Sequence, residues 1–109
     1  MKLVFAIVQN EDAKKLINAL NSKGFSVTKI ASSGGFLKGG NTTIMMGIED
    51  DQVELALEII KNESKMRKHY MVSPQTSMVG YSHANASPIE ITVGGAVVFV
   101  CDVWRHEHF

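Results

Sequence analysis

The chain has 109 residues, 45% of them apolar and 20% charged, a composition that fits one ordinary globular domain and excludes a disordered chain. Eleven acidic residues cancel eleven basic ones, whereas a duplex-binding module normally carries a basic excess, so general nucleic-acid binding is disfavoured. The single cysteine, Cys101, rules out an internal disulfide and a Cys-rich zinc site.

In chain order, Leu3 to Val8 is an unbroken run rich in branched residues, the pattern of a strand buried on both faces. The run stops at Gln9-Asn10-Glu11-Asp12, too soon for the core of a signal peptide, and nothing later approaches the length of a membrane span. A cytoplasmic location is therefore expected. Asn10 is placed to cap a helix, with Glu11 and Asp12 in its positively polarised first turn. Ala13, Leu16, Ile17 and Leu20 form one amphipathic stripe, and Gly24 can stop the helix after Lys23. Phe25 to Ala31 reads as a second strand, with Phe25, Val27 and Lys29 on one face and Ser26, Thr28 and Ile30 on the other.

Between Ala31 and Gly47 two glycine pairs, Gly34-Gly35 and Gly39-Gly40, bracket Phe36, Leu37 and Lys38. Glycine lets a ligand approach the main chain closely. With one aromatic, one cation and a following Asn41-Thr42-Thr43, the loop has the parts to hold a base and a phosphate, although a plain hairpin connection would have the same glycines. It lacks the ending of a P-loop and fits no G-x-G-x-x-G register.

Thr42 to Ile48 is a third strand, and Asp50 or Asp51 is placed to cap a second helix buried through Val53, Ala56, Leu57 and Ile60. Lys61, Lys65, Arg67 and Lys68 follow as a solvated helix end suited to the dipole. From about residue 66 to 88 the periodicity fails in a segment holding Pro74 and Pro88, longer than most connections in compact domains. Ile89 to Val93 alternates as a strand, Gly94-Gly95 punctuates, and Ala96 to Val103 is the last apolar strand.

The order strand, helix, strand, strand, helix, strand is the α+β ferredoxin-like arrangement, an antiparallel sheet with both helices on one face. Helices cover only one face, yet Leu3–Val8, Ile44–Met46 and Val97–Cys101 are apolar at consecutive positions. Leaving a large side chain on an open face forgoes roughly 1.5–3 kcal/mol of burial, so the second face is expected to meet other copies of the chain.

Catalytic chemistry is poorly represented. Cys101 sits in an apolar strand, no Ser-His-Asp order stands out, and no carboxylate lies in an apolar context that would tune it as an acid. His106 and His108 are spaced for a metal contact without a firm third ligand, and Trp104 and Phe109 are either packing anchors or closures of a pocket across a subunit boundary. A binding protein fits better than an enzyme, and an acylphosphatase-like hydrolase ranks last for want of a loop arginine.

Three blocks carry a resemblance: Met1-Lys2-Leu3-Val4-Phe5-Ala6-Ile7-Val8-Gln9, the stretch Thr28-Lys29-Ile30-Ala31-Ser32-Ser33-Gly34-Gly35-Phe36-Leu37-Lys38-Gly39-Gly40-Asn41-Thr42-Thr43, and Val93-Gly94-Gly95-Ala96-Val97-Val98-Phe99-Val100. Over nearly the whole chain the sequence resembles the PII-like cyclic-di-AMP receptors of Gram-positive bacteria. The resemblance implies a single PII-like domain assembled as a homotrimer that binds cyclic di-AMP between neighbouring subunits and signals to an unidentified protein. It implies no catalysis, metal, cofactor, membrane or nucleic-acid polymer. Thr28 would meet a phosphate; Gly35, Phe36 and Leu37 would offer backbone groups, with Phe36 also packing on an adenine. Asn41 and the main chain at Gly47 would read a base edge, and Phe99 would line the pocket. The chain departs from the family pattern at Ser26, where arginine is usual, leaving Lys38 or Lys29 to supply charge, and at His108, where a polar amide is common. The departures keep a related reading open, a PII-like trimer that takes another adenine nucleotide or a metal ion through Ser26 and the His106/His108 tail.

Overall fold

In this computed structural model residues 1–32, 40–71 and 89–109 are described, and they build a four-stranded antiparallel sheet, two helices and a separate two-stranded hairpin. The elements are β1 (Lys2–Gln9), α1 (Asn10–Ser22), β2 (Thr28–Ser32), β3 (Asn41–Ile48), a 3-10 turn (Asp50–Gln52), α2 (Val53–Ser64), β4 (Arg67–Met71), β5 (Ile89–Val93) and β6 (Ala96–Asp102). The main sheet runs β2-β3-β1-β6, so the two longest apolar strands lie side by side at its centre and edge.

Register decides which face each side chain takes. Val4, Ala6 and Val8 of β1 stand level with Met46, Ile44 and Thr42 of β3. All six are buried, and the apolar ones join Ala13, Leu16 and Leu20 of α1 and Ala56 and Ile60 of α2 in one core. Both helices therefore cover the same face, as the ferredoxin-like order requires. The other face carries Leu3, Phe5 and Ile7 of β1, Thr43 and Met45 of β3, and Val97, Phe99 and Cys101 of β6.

Helix α1 ends as its sequence indicates. Gly24 takes φ +88°, its N–H donates to the Asn21 carbonyl at 3.0 Å, and the Phe25 N–H donates to that of Leu20 at 3.1 Å. These two bonds form a Schellman cap, and Phe25 and Leu20 supply the apolar contact that accompanies it, both lying in the core.

Several boundaries differ from the sequence reading. Gln9, not Asn10, is the N-cap of α1, because Asn10 is already helical and its side chain is engaged elsewhere. Strand β2 begins at Thr28 rather than Phe25, whose ring is drawn under the sheet by the helix cap. Asp50 and Asp51 open a 3-10 turn and cap nothing, so α2 starts at Val53 with Gln52 before it. Of the segment from 66 to 88, residues 67–71 form a strand and residues 72–88 lie outside the described residues. Residues Arg67–Met71 pair antiparallel with Ile89–Val93, from Arg67 opposite Val93 to Met71 opposite Ile89. Since α2 stops at Ser64, Arg67 and Lys68 belong to this hairpin and not to a solvated helix end.

Candidate functional site

Thr28, Met45, Phe5 and Phe99 are consecutive partners across β2, β3, β1 and β6, so all four face away from the helices in one row. Three inter-strand steps of about 4.8 Å put Thr28 about 14 Å from Phe99. The next row holds Ile30, Thr43, Ile7 and Val97. Phe99 is 48% exposed and Ile30 38% in the single chain, giving an apolar floor with a hydroxyl at one edge and an aromatic ring at the other.

Asn41 and Gly47 also project to this face, but at opposite ends of β3. Six residue steps along the strand separate them, about 20 Å at 3.4 Å per step. No single base can reach both within one chain. Asn41 is buried at 4% exposure, whereas Gly47 is exposed and has the Met1 methyl group alongside. Ser26 lies exposed just before β2, two residues from Thr28. Lys29 cannot replace the missing arginine near Thr28, because its partner is Ile44 and it lies on the helix side of the sheet. Gly35, Phe36, Leu37 and Lys38 lie outside the described residues. His108 is exposed in the C-terminal segment with His106, and Trp104 there is 92% exposed. Among the described residues no group of three or more His, Cys, Asp or Glu side chains converges as metal ligands, and no helix is long and apolar enough to cross a membrane.

The sequence reading missed a polar junction beside this face. The turn from β1 into α1, Gln9 to Asp12, holds two separate parts of the chain. Toward the glycine loop, the Asn10 N–H donates to the Gly40 carbonyl at 3.2 Å, and the Thr42 hydroxyl donates to Asn10 Oδ1 at 2.6 Å. Gly40 must stay glycine here: its φ is +92°, and a Cβ would stand 2.7 Å from Asn10 Nδ2. Toward the hairpin, the Gly94 N–H donates to Gln9 Oε1 at 2.6 Å. Arg67 Nη2 donates to Asp12 Oδ1 at 2.7 Å, with Nη1 3.4 Å from Oδ2. The Asp12 carboxylate is 5% exposed, so removing its cation would strand a buried charge. The same hydrogen bond raises the Arg67 guanidinium above its ordinary range. The only trace of this junction in the sequence is a polar run directly after a greasy strand; a partner 55 residues away leaves none.

The result is a small α+β domain whose antiparallel sheet has one helix-covered face and one face carrying apolar side chains, with polar groups at its margins. A family model described as "Cyclic-di-AMP receptor" matches residues 1–109, the whole chain, which therefore belongs to the cyclic-di-AMP receptor family. The fold is also that of a crystal structure of a functionally unknown protein from Pediococcus pentosaceus, 42% identical, with a TM-score of 0.80 over 99% of this chain and 96% of that one. A receptor family points to binding rather than catalysis.

Proposed function

We propose that this protein is a non-catalytic sensor that binds cyclic di-AMP in clefts between the subunits of a homotrimer, and that binding reshapes the loops it presents to a partner protein. The observation that carries the reading is the common face of Thr28, Asn41, Gly47 and Phe99, too widely spaced for one chain to close around a nucleotide. Copies meeting across the apolar face would bury Phe5, Met45, Phe99 and Ile30 and bring Asn41 of one chain toward Gly47 of the next. The family supports the ligand. Thr28 at the mouth suits a phosphate oxygen, and Phe36 suits an adenine, for which base–aromatic stacking contributes about 1–3 kcal/mol per base.

Calorimetric titration of cyclic di-AMP tests this. Wild type is expected to bind at micromolar protein. Thr28→Val should weaken binding about tenfold or more, since a hydrogen bond to a charged group is worth about 1.5–3 kcal/mol. Phe36→Ala should weaken it about fivefold to a hundredfold. No heat with wild type would refute the reading. Ser26 in place of a cation beside Thr28, with Lys29 on the far face, favours one second reading, another adenine nucleotide in the same cleft. ATP and ADP titrated in parallel separate the two, because a nucleotide selective for the folded protein also raises its melting temperature.

A further inference from the structure

The two strands of the β4–β5 hairpin pack chiefly on each other, and such an isolated pair is marginally stable in water. One of its faces is polar, with Lys68 Nζ 3.0 Å from Glu90 Oε1 and the Tyr70 hydroxyl donating to Glu90 Oε2 at 3.4 Å. The other carries Ile89, 52% exposed, with Ile91 and Val93 in register with His69 and Arg67. What holds the hairpin in place is its root. Arg67 is tied to Asp12, Gly94 to Gln9, and the Gly95 N–H to the Ser64 carbonyl at the end of α2. Gly94 fits so tightly there that a Cβ would lie 2.6 Å from both Arg67 Nη1 and the Lys65 carbonyl oxygen.

Two of these ties end on the turn that also holds Gly40 and Thr42 through Asn10. We infer that the Gln9–Asp12 junction couples the β2–β3 margin of the nucleotide site to the β4–β5 hairpin, with Asn10 as a positioning residue for Asn41 and the Asp12–Arg67 pair as the element that is made or broken. Asn10 fixes the two neighbours of Asn41, and Asp12, in the same first turn of the helix, fixes Arg67. A nucleotide that orders the Asn41 margin therefore steadies Asn10, Asp12 and the root of the hairpin, and the effect is reciprocal. The ligand half of this inference rests on the function proposed above; the mechanical half does not.

Hydrogen exchange separates the two halves. In the full-length protein without ligand, Asn10→Ala and Thr42→Val should each speed exchange at the amides of 67–71 and 89–93 by about tenfold relative to those of α2, the effect of losing one hydrogen bond of about 1.4 kcal/mol. Among the described residues neither hydrogen-bonds to the hairpin, so exchange that rises no more there than in α2 overturns the coupling, whatever the ligand. Arg67→Gln should in turn speed exchange at Gly40 and Thr42, and an unchanged rate there counts equally against it. With cyclic di-AMP added, wild type should gain hairpin protection and Arg67→Gln should bind while gaining none. Binding with no change in the wild-type hairpin also overturns the coupling and leaves the sensor reading standing. Absence of binding overturns the sensor reading and leaves the ligand-free exchange rates to decide the coupling.

Discussion

Gly24, Gly40, Gly94 and Gly95 all have positive φ, yet their surroundings set different demands. Around Gly24 nothing lies within 4 Å of a built Cβ, so an alanine there meets only the backbone strain, about 1–2 kcal/mol. At Gly94 the obstacle includes the Lys65 carbonyl oxygen, which is main chain and cannot swing aside. Gly94→Ala should therefore destabilise clearly more than Gly24→Ala in urea denaturation and should also loosen the Arg67–Asp12 contact. Equal losses would mean that the root of the hairpin yields easily. Asp12 makes the companion point. As a carboxylate in a helix first turn it looked like a dipole partner, and its burial under Arg67 turns it into a clamp on a distant strand.

Where an element is long and periodic, its residues declare it. The stripes of α1 and α2, the unbroken β1 and β6, and the glycine stop of α1 were all legible, because burial imposes spacing on a sequence. The hairpin was not. Arg67-Lys68-His69-Tyr70-Met71 has no apolar alternation, and its pairing with Ile89–Val93 across a long intervening segment is a non-local choice that residue spacing does not encode. The start of β2 was misplaced for a similar reason: Phe25 is β-prone, but the cap of α1 claims it for the core. Of the candidate site, Thr28, Asn41, Gly47 and Phe99 were named through family resemblance, and strand register puts them on one face. The core itself gives a direct check. Leu20→Ala, fully buried and part of the cap contact, should cost about 2–5 kcal/mol of unfolding free energy in urea. Leu55→Ala, 45% exposed on the outer side of α2, should change it by no more than about 0.5 kcal/mol.

At the scale of the molecule, the sheet is finished on one side only. Its helix face is covered by the apolar stripes of α1 and α2, which bury Val4, Ala6, Val8, Ile44 and Met46. The opposite face sets Phe5, Met45 and Phe99 in a row, with Phe5 and Met45 half-buried and Phe99 48% exposed in the single chain. Exposed apolar surface commonly marks a place of contact, and the polar groups proposed for the ligand stand at opposite ends of this face. On the proposed function, assembly and ligand binding are one property: the surface that would join the copies is the surface that would hold the nucleotide. Sedimentation velocity followed at the absorbance of the adenines examines that statement directly. With cyclic di-AMP present, the nucleotide should travel with a species of three 12.0 kDa chains, and Met45→Asp in the middle of the row should abolish both the assembly and the nucleotide's co-sedimentation. Nucleotide travelling with a lone 12.0 kDa chain, in wild type or in Met45→Asp, would contradict it.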